Sequence, residues 1–340
     1  MDPQTLKGNE IWQLLKGKEE DILQTVKRSY QLHANGETDL PPSSFLQFPG
    51  KSKSRCIGLQ AYIGGELNIA GFKTIASFPS NLSKGLERAS AQIGLISLET
   101  GRLEAIFDGS IITQKRTAAS AALGAQYLLD SNFPISIGII GCGPINYETL
   151  NFILYLYPSI QSVFIFDVDQ ERANLFKQAI YKLNSHLKIV ICDTLENLLN
   201  NSKLVSFGTT EITPHVFEFS VFQPGTVVLH LSLRDLSPEI ILSAVNIVDD
   251  IDHIRHANTS VHLAEQKVGH YNFIQCSIGQ ILNKSIFPQW REEDIRIFSP
   301  FGLGILDITL AKLVQNIALE KGLGDTIDSF FPTPWWQRDE

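Results

Sequence analysis

The residues from Pro134 to Asp167 carry the spacing that says most about chemistry. An apolar run from Ile135 to Ile140 ends on Gly141-Cys142-Gly143-Pro144. A helical stretch follows, then a second apolar run, Val163-Phe164-Ile165-Phe166, that ends on Asp167. Two glycines leave the turn without Cβ atoms, so its backbone can close on a diphosphate at the helix N-terminus. Pro144 suits the first helical position, where no amide hydrogen is needed. Asp167 stands 24 residues past Gly143, where a carboxylate accepts from ribose hydroxyls and repels a 2′-phosphate. The pattern points to a bound dinucleotide, NAD in preference to NADP, with Gly141, Gly143, Pro144, Ile145 and Asp167 as its contacts. Asn146 departs from the glycine or alanine usual at the third position of this fingerprint.

Three separated cations precede that segment. Arg55 opens an apolar strand, Lys73 lies inside Ala70-Gly71-Phe72-Lys73-Thr74-Ile75, and Arg116 sits in Thr113-Gln114-Lys115-Arg116-Thr117-Ala118-Ala119. Arginine grips a carboxylate through two parallel hydrogen bonds, and lysine offers a point charge or a titratable amine. Such residues serve structure as readily as they serve a substrate. Asp235 follows the apolar run Thr226–Leu231 in Leu231-Ser232-Leu233-Arg234-Asp235. In a doubly wound sheet that position lies outside a strand's carboxyl end, near the nicotinamide half of a dinucleotide, although a turn aspartate reads the same way. Thr209 and Thr210 also follow a strand, to bind cofactor or cap a turn. Arg116, Thr117, Thr209 and Ser232 complete the cofactor candidates.

Other chemistries find little support. His253 and His256 are three residues apart near Asp249, Asp250 and Asp252, but no HExxH and no cysteine pair accompanies them, so no metal is expected. A GxSxG elbow is absent, which argues against acyl transfer. The net charge of -8 and the lack of a basic run argue against nucleic acid as a partner. No apolar stretch has the length of a membrane span, and MDPQTLKGNEIWQ lacks the basic-then-apolar pattern of an export signal. Four scattered cysteines form no CxxC; Cys56, Cys142 and Cys192 lie in or beside apolar strands and read as reduced, buried thiols. A cytoplasmic protein is expected.

With 340 residues, 44% hydrophobic and 19% charged, the chain has room for two domains. The front part shows a helix from about Glu19 to Asn35 and a proline-containing linker at Pro41-Pro42. Strands follow at Cys56–Ala61, Gly71–Ala76, Ala91–Ser97 and Leu103–Phe107, joined by glycine-rich turns that suit antiparallel hairpins. An alanine-rich helix, about Ser110 to Leu129, leads into alternating strands and helices. The strands there are Ser162–Asp167, Leu187–Cys192, Leu204–Phe207, Thr226–Leu231, Asn246–Val248 and Ile295–Phe298. Their continuous apolar character suits parallel strands covered on both faces. The expected architecture is α/β: a Rossmann-type doubly wound parallel sheet over residues 119–304, plus a discontinuous α+β domain over 1–118 and 305–340. A last helix, to about Lys321, returns to that first domain. The tail Phe330-Phe331-Pro332-Thr333-Pro334-Trp335-Trp336 is aromatic enough to be expected on a partner subunit or on the core.

Taken together, the segments resemble the ornithine cyclodeaminase and mu-crystallin family. The marks are Gly71-Phe72-Lys73, Arg116-Thr117-Ala118-Ala119, the Gly141-Cys142-Gly143 turn, Asp235 and Ser299-Pro300-Phe301-Gly302-Leu303-Gly304 with Asp307. Within it, Glu87-Arg88-Ala89-Ser90 and Arg55 with Ile63-Gly64-Gly65 are similar to the dehydrogenases that form 2,3-diaminopropionate in siderophore and antibiotic pathways. The resemblance implies a homodimer built through the front domains and an active site between front and dinucleotide domains. It implies that Arg55, Lys73 and Arg116 hold substrate carboxylates, and that Asp235, with Lys73, supplies acid–base chemistry. The implied reaction is NAD-dependent oxidative cleavage of N-(2-amino-2-carboxyethyl)-glutamate to 2,3-diaminopropionate and 2-oxoglutarate. Alternatives are an ornithine cyclodeaminase, an imine reductase or amino-acid dehydrogenase, and a non-catalytic binding protein like mu-crystallin. An acid–base Asp235 requires desolvation to move its pKa toward neutrality.

Overall fold

The computed structural model describes residues 2–129, 134–254 and 258–338. Its backbone contacts divide the chain into two units, residues 1–113 with 304–340, and residues 114–303. The fold is α/β, each unit built on its own sheet.

The first unit opens with β1 (Gln4–Leu6) and two helices, α1 (Gly8–Leu15) and α2 (Glu19–Ala34). β2 (Thr38–Asp39), β3 (Ser44–Phe48), β4 (Lys51–Ile63), β5 (Ile69–Ser77), β6 (Ala89–Ile96) and β7 (Leu103–Asp108) follow. β4, β5, β6 and β7 pair antiparallel in succession, as the glycine-rich turns predict. β1 adds to β7 in parallel, and β2 and β3 both pair with β4. Sequence periodicity reveals none of these three short strands, which carry too few residues for alternation to register. The helix Gly304–Glu320 belongs to this unit and packs on α2 and β5. Gly71 permits that approach: an added Cβ there would stand 2.4 Å from the Gly94 carbonyl oxygen and 2.9 Å from Ile308. Val26, Tyr30, Ile63, Ile93, Phe107, Leu310 and Val314 are buried core residues of this unit, and burial of such side chains is the main drive for its folding.

Helix α3 (Ser110–Leu128) carries the chain into the second unit. There β8 (Ser136–Ile140), β9 (Ser162–Phe166), β10 (Lys188–Ile191), β11 (Leu204–Phe207), β12 (Val227–His230), β13 (Val245–Val248), β14 (Ile274–Ser277) and β15 (Arg296–Ser299) form one sheet. Its order is β10-β9-β8-β11-β12-β15-β13-β14, parallel throughout. The chain runs outward from β8 through β9 to β10, then returns to β11 on the other side. β8 and β11 thus flank the topological switch point, where ligands bind at the carboxyl ends of strands. Helices α4 (Pro144–Leu156) and α5 (Gln170–Leu183) follow β8 and β9. β14 escapes sequence analysis because its four residues include an exposed Gln275 that interrupts the apolar run.

All four cysteines are free thiols; Cys142, Cys192 and Cys276 are buried, and Cys56 is only half-buried, contrary to expectation. Among the described residues no helix is long and apolar enough to cross a membrane. The aromatic tail does not join the core of this chain: Trp335 and Trp336 are exposed and stack edge to face on one another. Phe331 meets a cation, with Arg102 lying 4.7 Å above its ring.

Candidate active site

In the second unit, the turn between β8 and α4 is held from three sides. Gly141 has φ +88, and an added Cβ would stand 2.6 Å from the Gly208 carbonyl oxygen, so conformation and space both demand glycine. Gly143 is the N-cap of α4 and Pro144 its first residue. An added Cβ at Gly143 would meet only the tip of Arg172, at 4.0 Å, which leaves a cradle at the helix N-terminus. Half-buried Ile145 lies in the first turn, where helical amides point outward to an anion. Asp167 accepts from the Cys142 amide at 2.7 Å through Oδ2 and from the Asp169 amide at 3.0 Å through Oδ1. Arg172 Nε donates to the Cys142 carbonyl at 2.9 Å, so the peptides on either side of Cys142 are both clasped. Burial first, and then the Asp167 charge, push the Cys142 thiol up to about 12, so it is no nucleophile.

Asn146 is the third clasp. Its buried amide nitrogen donates to the Ile140 carbonyl at 2.9 Å and the Gly141 carbonyl at 2.8 Å, while its oxygen accepts from Ser206 Oγ at 2.7 Å. Room for the side chain comes from Gly208, where a Cβ would stand 2.8 Å from Asn146 Cγ. The departure from the usual fingerprint is therefore a different way of fixing the same turn.

Thr209 and Ser232 each stand two residues beyond a strand end, on the neighbouring strands β11 and β12, and both donate to Asp235. Thr209 Oγ1 lies 2.5 Å from Oδ1, and Ser232 Oγ hydrogen-bonds Oδ2. Thr210 is exposed beside them. His230, fully buried, brings Nε2 to 3.1 Å from Oδ2 and 3.2 Å from the Asp235 amide. With the proton on Nε2, the carboxylate contact is the hydrogen bond, which is the arrangement that charge favours. Its other nitrogen faces Ser299 Oγ at 3.4 Å. Burial would push Asp235 up, but hydrogen bonding and charge from His230, with the hydroxyls of Ser232 and Thr209, outweigh it and hold the carboxyl at about 2. A pKa moved toward neutrality was expected; this shift is the opposite. Asp235 is a buried acceptor, ionised at neutral pH.

Arg116 lies on α3, nearly buried, with half-buried Thr117 next to it. Its guanidinium packs on Gly302, which has φ +95 and where a Cβ would stand 2.8 Å from Nη1. That loop is fixed in turn by Asp249, whose carboxylate accepts from the amides of Phe301 at 2.9 Å, Gly302 at 2.6 Å and Asp250 at 2.9 Å. Complete burial raises the pKa of Asp249 despite those bonds.

In the first unit, Lys73 is 2% exposed and its ammonium lies 2.8 Å from Asp307 Oδ1 on the helix Gly304–Glu320. Thr113 Oγ1 stands 3.5 Å from the same oxygen. Arg55 on β4 opposes Ser77 of β5, and Lys73 opposes Leu59. Opposed residues share a face and alternate residues return to it, so Arg55 and Lys73 project from one face, about 13 Å apart along the strands. The contacts made by Asn146, His230, Asp249 and Asp307 were not foreseen from the sequence, although Asn146 stood out as a departure and Asp307 as a family mark. Asp249 and His230 carried a signal, a polar residue at or beside the carboxyl end of an apolar strand. His253 turns back on Asp250 through Nδ1 at 3.0 Å, and His256 lies outside the described residues. Among the described residues no three metal-ligating side chains cluster.

A glycine turn at the switch point of a parallel sheet in one unit, and a largely antiparallel sheet carrying the buried Lys73 in the other, define a two-unit dinucleotide-fold protein. Residues 7–322 match the ornithine cyclodeaminase/mu-crystallin family, and the chain belongs to it. It is 27% identical to N-((2S)-2-amino-2-carboxyethyl)-L-glutamate dehydrogenase of Staphylococcus aureus over 306 residues, 88% of this chain and 90% of that one. Identity to the alanine dehydrogenase of Archaeoglobus fulgidus is also 27%, over 319 residues, 92% of this chain and 94% of that one. A solved archaeal alanine dehydrogenase dimer with bound NAD superposes with a TM-score of 0.86 at 26% identity, covering 97% of this chain and all of that one.

Proposed function

We propose that this protein is an NAD-dependent dehydrogenase of the family, acting on the C–N bond of N-(2-amino-2-carboxyethyl)-L-glutamate as a cytoplasmic homodimer. The observation that carries the reading is the turn Gly141-Cys142-Gly143, clasped by Asp167 and open at Gly143. It suits the diphosphate of NAD, with Pro144 and Ile145 opening the helix above it and Asp167 beside the adenosine ribose. The likeness to the Staphylococcus aureus enzyme supports the substrate.

The net reaction takes the conjugate, NAD and water to 2,3-diaminopropionate, 2-oxoglutarate, NADH and one proton. NAD, when bound, supplies a two-electron hydride acceptor. The neutral secondary amine pushes its lone pair into the bond that the departing α-hydride leaves, giving an iminium. Water adds to that carbon with release of one proton, the carbinolamine hydroxyl proton passes to the nitrogen, and the C–N bond to the diaminopropionate nitrogen breaks to leave ketone and primary amine. Three carboxylates give the substrate its charge, and Arg55, Lys73 and Arg116 supply matching cations. Asp307 keeps the Lys73 ammonium in place, and Gly302 seats the Arg116 guanidinium. Asp235 stays ionised throughout; its negative charge favours the cationic nitrogen that forms as hydride leaves.

A second reading, an amino-acid dehydrogenase, is favoured by the equal identity to the Archaeoglobus fulgidus enzyme. Assaying the conjugate, L-alanine and L-ornithine with NAD separates them. The proposal expects NADH, 2-oxoglutarate and 2,3-diaminopropionate in equal amounts from the conjugate alone. NADH from alanine supports the second reading. Ammonia from ornithine without net NADH marks a cyclodeaminase, and ligand-dependent stabilisation without turnover marks a binding protein.

A further inference from the structure

Asp235 determines what the hydroxyls around it can recognise. A hydroxyl has one proton and two lone pairs. Thr209 Oγ1 gives its proton to Oδ1, and Ser232 Oγ gives its proton to Oδ2. Thr209 Oγ1 also stands 3.3 Å from the Glu211 amide, which it can accept. What these two oxygens still offer is lone pairs. Both residues are half-buried, whereas the carboxylate behind them is wholly covered. The register places them side by side, since Phe207 of β11 pairs with His230 of β12 and each hydroxyl residue stands two positions further on. Gly141, at the end of β8, packs on the Gly208 carbonyl at the end of β11. The carboxyl edge thus runs from the glycine turn to Thr209 and then to Ser232, about 10 Å at the usual strand spacing.

Resting on the reading of an NAD-linked enzyme, we infer that Thr209 and Ser232 form an acceptor-only face for the carboxamide NH2 of the nicotinamide. Asp235 is the positioning residue that makes the face acceptor-only. A dinucleotide laid across this edge from the turn at β8 brings its nicotinamide half over β11 and β12. The carboxamide is the part of that ring system that bears N–H donors. Two acceptors of fixed direction hold the amide by its nitrogen end and so set the rotation of the ring about its ribose bond. Asp235→Asn would end this, because an amide nitrogen returns one hydroxyl to the role of donor.

The test compares calorimetric Kd values for NAD and for 3-acetylpyridine adenine dinucleotide, in which a methyl ketone replaces the carboxamide and no N–H remains. Wild-type protein is expected to prefer NAD by about tenfold, the worth of one to two hydrogen bonds. Thr209→Val, which keeps shape and loses the oxygen, and Ser232→Ala should each bring the ratio toward one by weakening NAD alone. Thr209→Ser should retain the preference. Equal affinity of wild-type protein for both nucleotides, or an undiminished preference in both oxygen-deleted variants, overturns the inference while leaving NAD binding intact. Failure of wild-type protein to bind either nucleotide overturns the cofactor reading itself.

Discussion

Replacing Asn146 with alanine removes three hydrogen bonds at the centre of the second unit, to Ile140 O, Gly141 O and Ser206 Oγ. Ile140 O keeps the Gly208 amide at 2.9 Å as a partner. The fully buried Ser206 hydroxyl loses its acceptor, and the Gly141 carbonyl loses a donor at the turn. A neutral hydrogen bond contributes about 1 kcal/mol net, and a buried group left without its partner costs about 1–3 kcal/mol. Asn146→Ala should therefore destabilise by about 2–4 kcal/mol. At roughly 2–4 °C per kcal/mol for a unit of this size, the melting temperature should fall by roughly 4–16 °C. Ser206→Ala should be milder, and the double variant should cost less than the sum, because removing the hydroxyl removes the group left stranded. Asn146→Gly, which restores the residue usual at that position, should weaken NAD binding. Thermal melts and NAD titrations of the four proteins are the assay. A melt within about 1 °C of wild type for Asn146→Ala, or tighter NAD binding by Asn146→Gly, refutes the view that this side chain fixes the turn.

Asp307→Ala leaves the buried Lys73 ammonium without its partner carboxylate and should cost about 3–5 kcal/mol; denaturant titration measures it, and Lys73→Met with Asp307→Leu should recover much of the loss. Asp235 is held at about 2 against an ordinary 3.8. A carboxyl with a depressed folded pKa adds stability that is full above its unfolded value and fades as pH falls through the folded one. About 2 kcal/mol should thus disappear between roughly pH 4 and pH 2, and Asp235→Asn should flatten that part of the acid-denaturation curve. In turnover, no limb between pH 5 and 9 should belong to Asp235; a limb in wild type that vanishes in Asp235→Asn contradicts the ionised state. Gly302→Ala forces a Cβ against Arg116 at φ +95 and should lower kcat/KM for the conjugate by about tenfold or more, which steady-state kinetics will read.

The parallel sheet was legible because its strands are buried on both faces and read as continuous apolar runs, and Leu204–Phe207 matches residue for residue. Glycine-rich turns likewise gave away the antiparallel strands around Lys73. The edge strands were not legible: Gln4–Leu6 gains its identity from pairing with β7, a partner about a hundred residues away. Site residues followed the same division. Gly141, Gly143 and Asp167 announce themselves through local backbone chemistry, whereas the Lys73–Asp307 pair joins residues 234 apart. The ionisation of Asp235 was misjudged for a related reason. Burial can be inferred from an apolar neighbourhood, but the compensating partners show only in the fold: His230 and Ser232 once the turn after β12 closes on Asp235, and Thr209 once β11 and β12 lie side by side.

Hydride transfer from an amine-bearing carbon is the core of the functional account, and isotope labelling tests it most directly. The conjugate carrying deuterium at the α-carbon of its glutamate moiety should yield NADH with one deuterium per 2-oxoglutarate released. NADH free of the label, or 2-oxoglutarate released with no NADH formed, would contradict it.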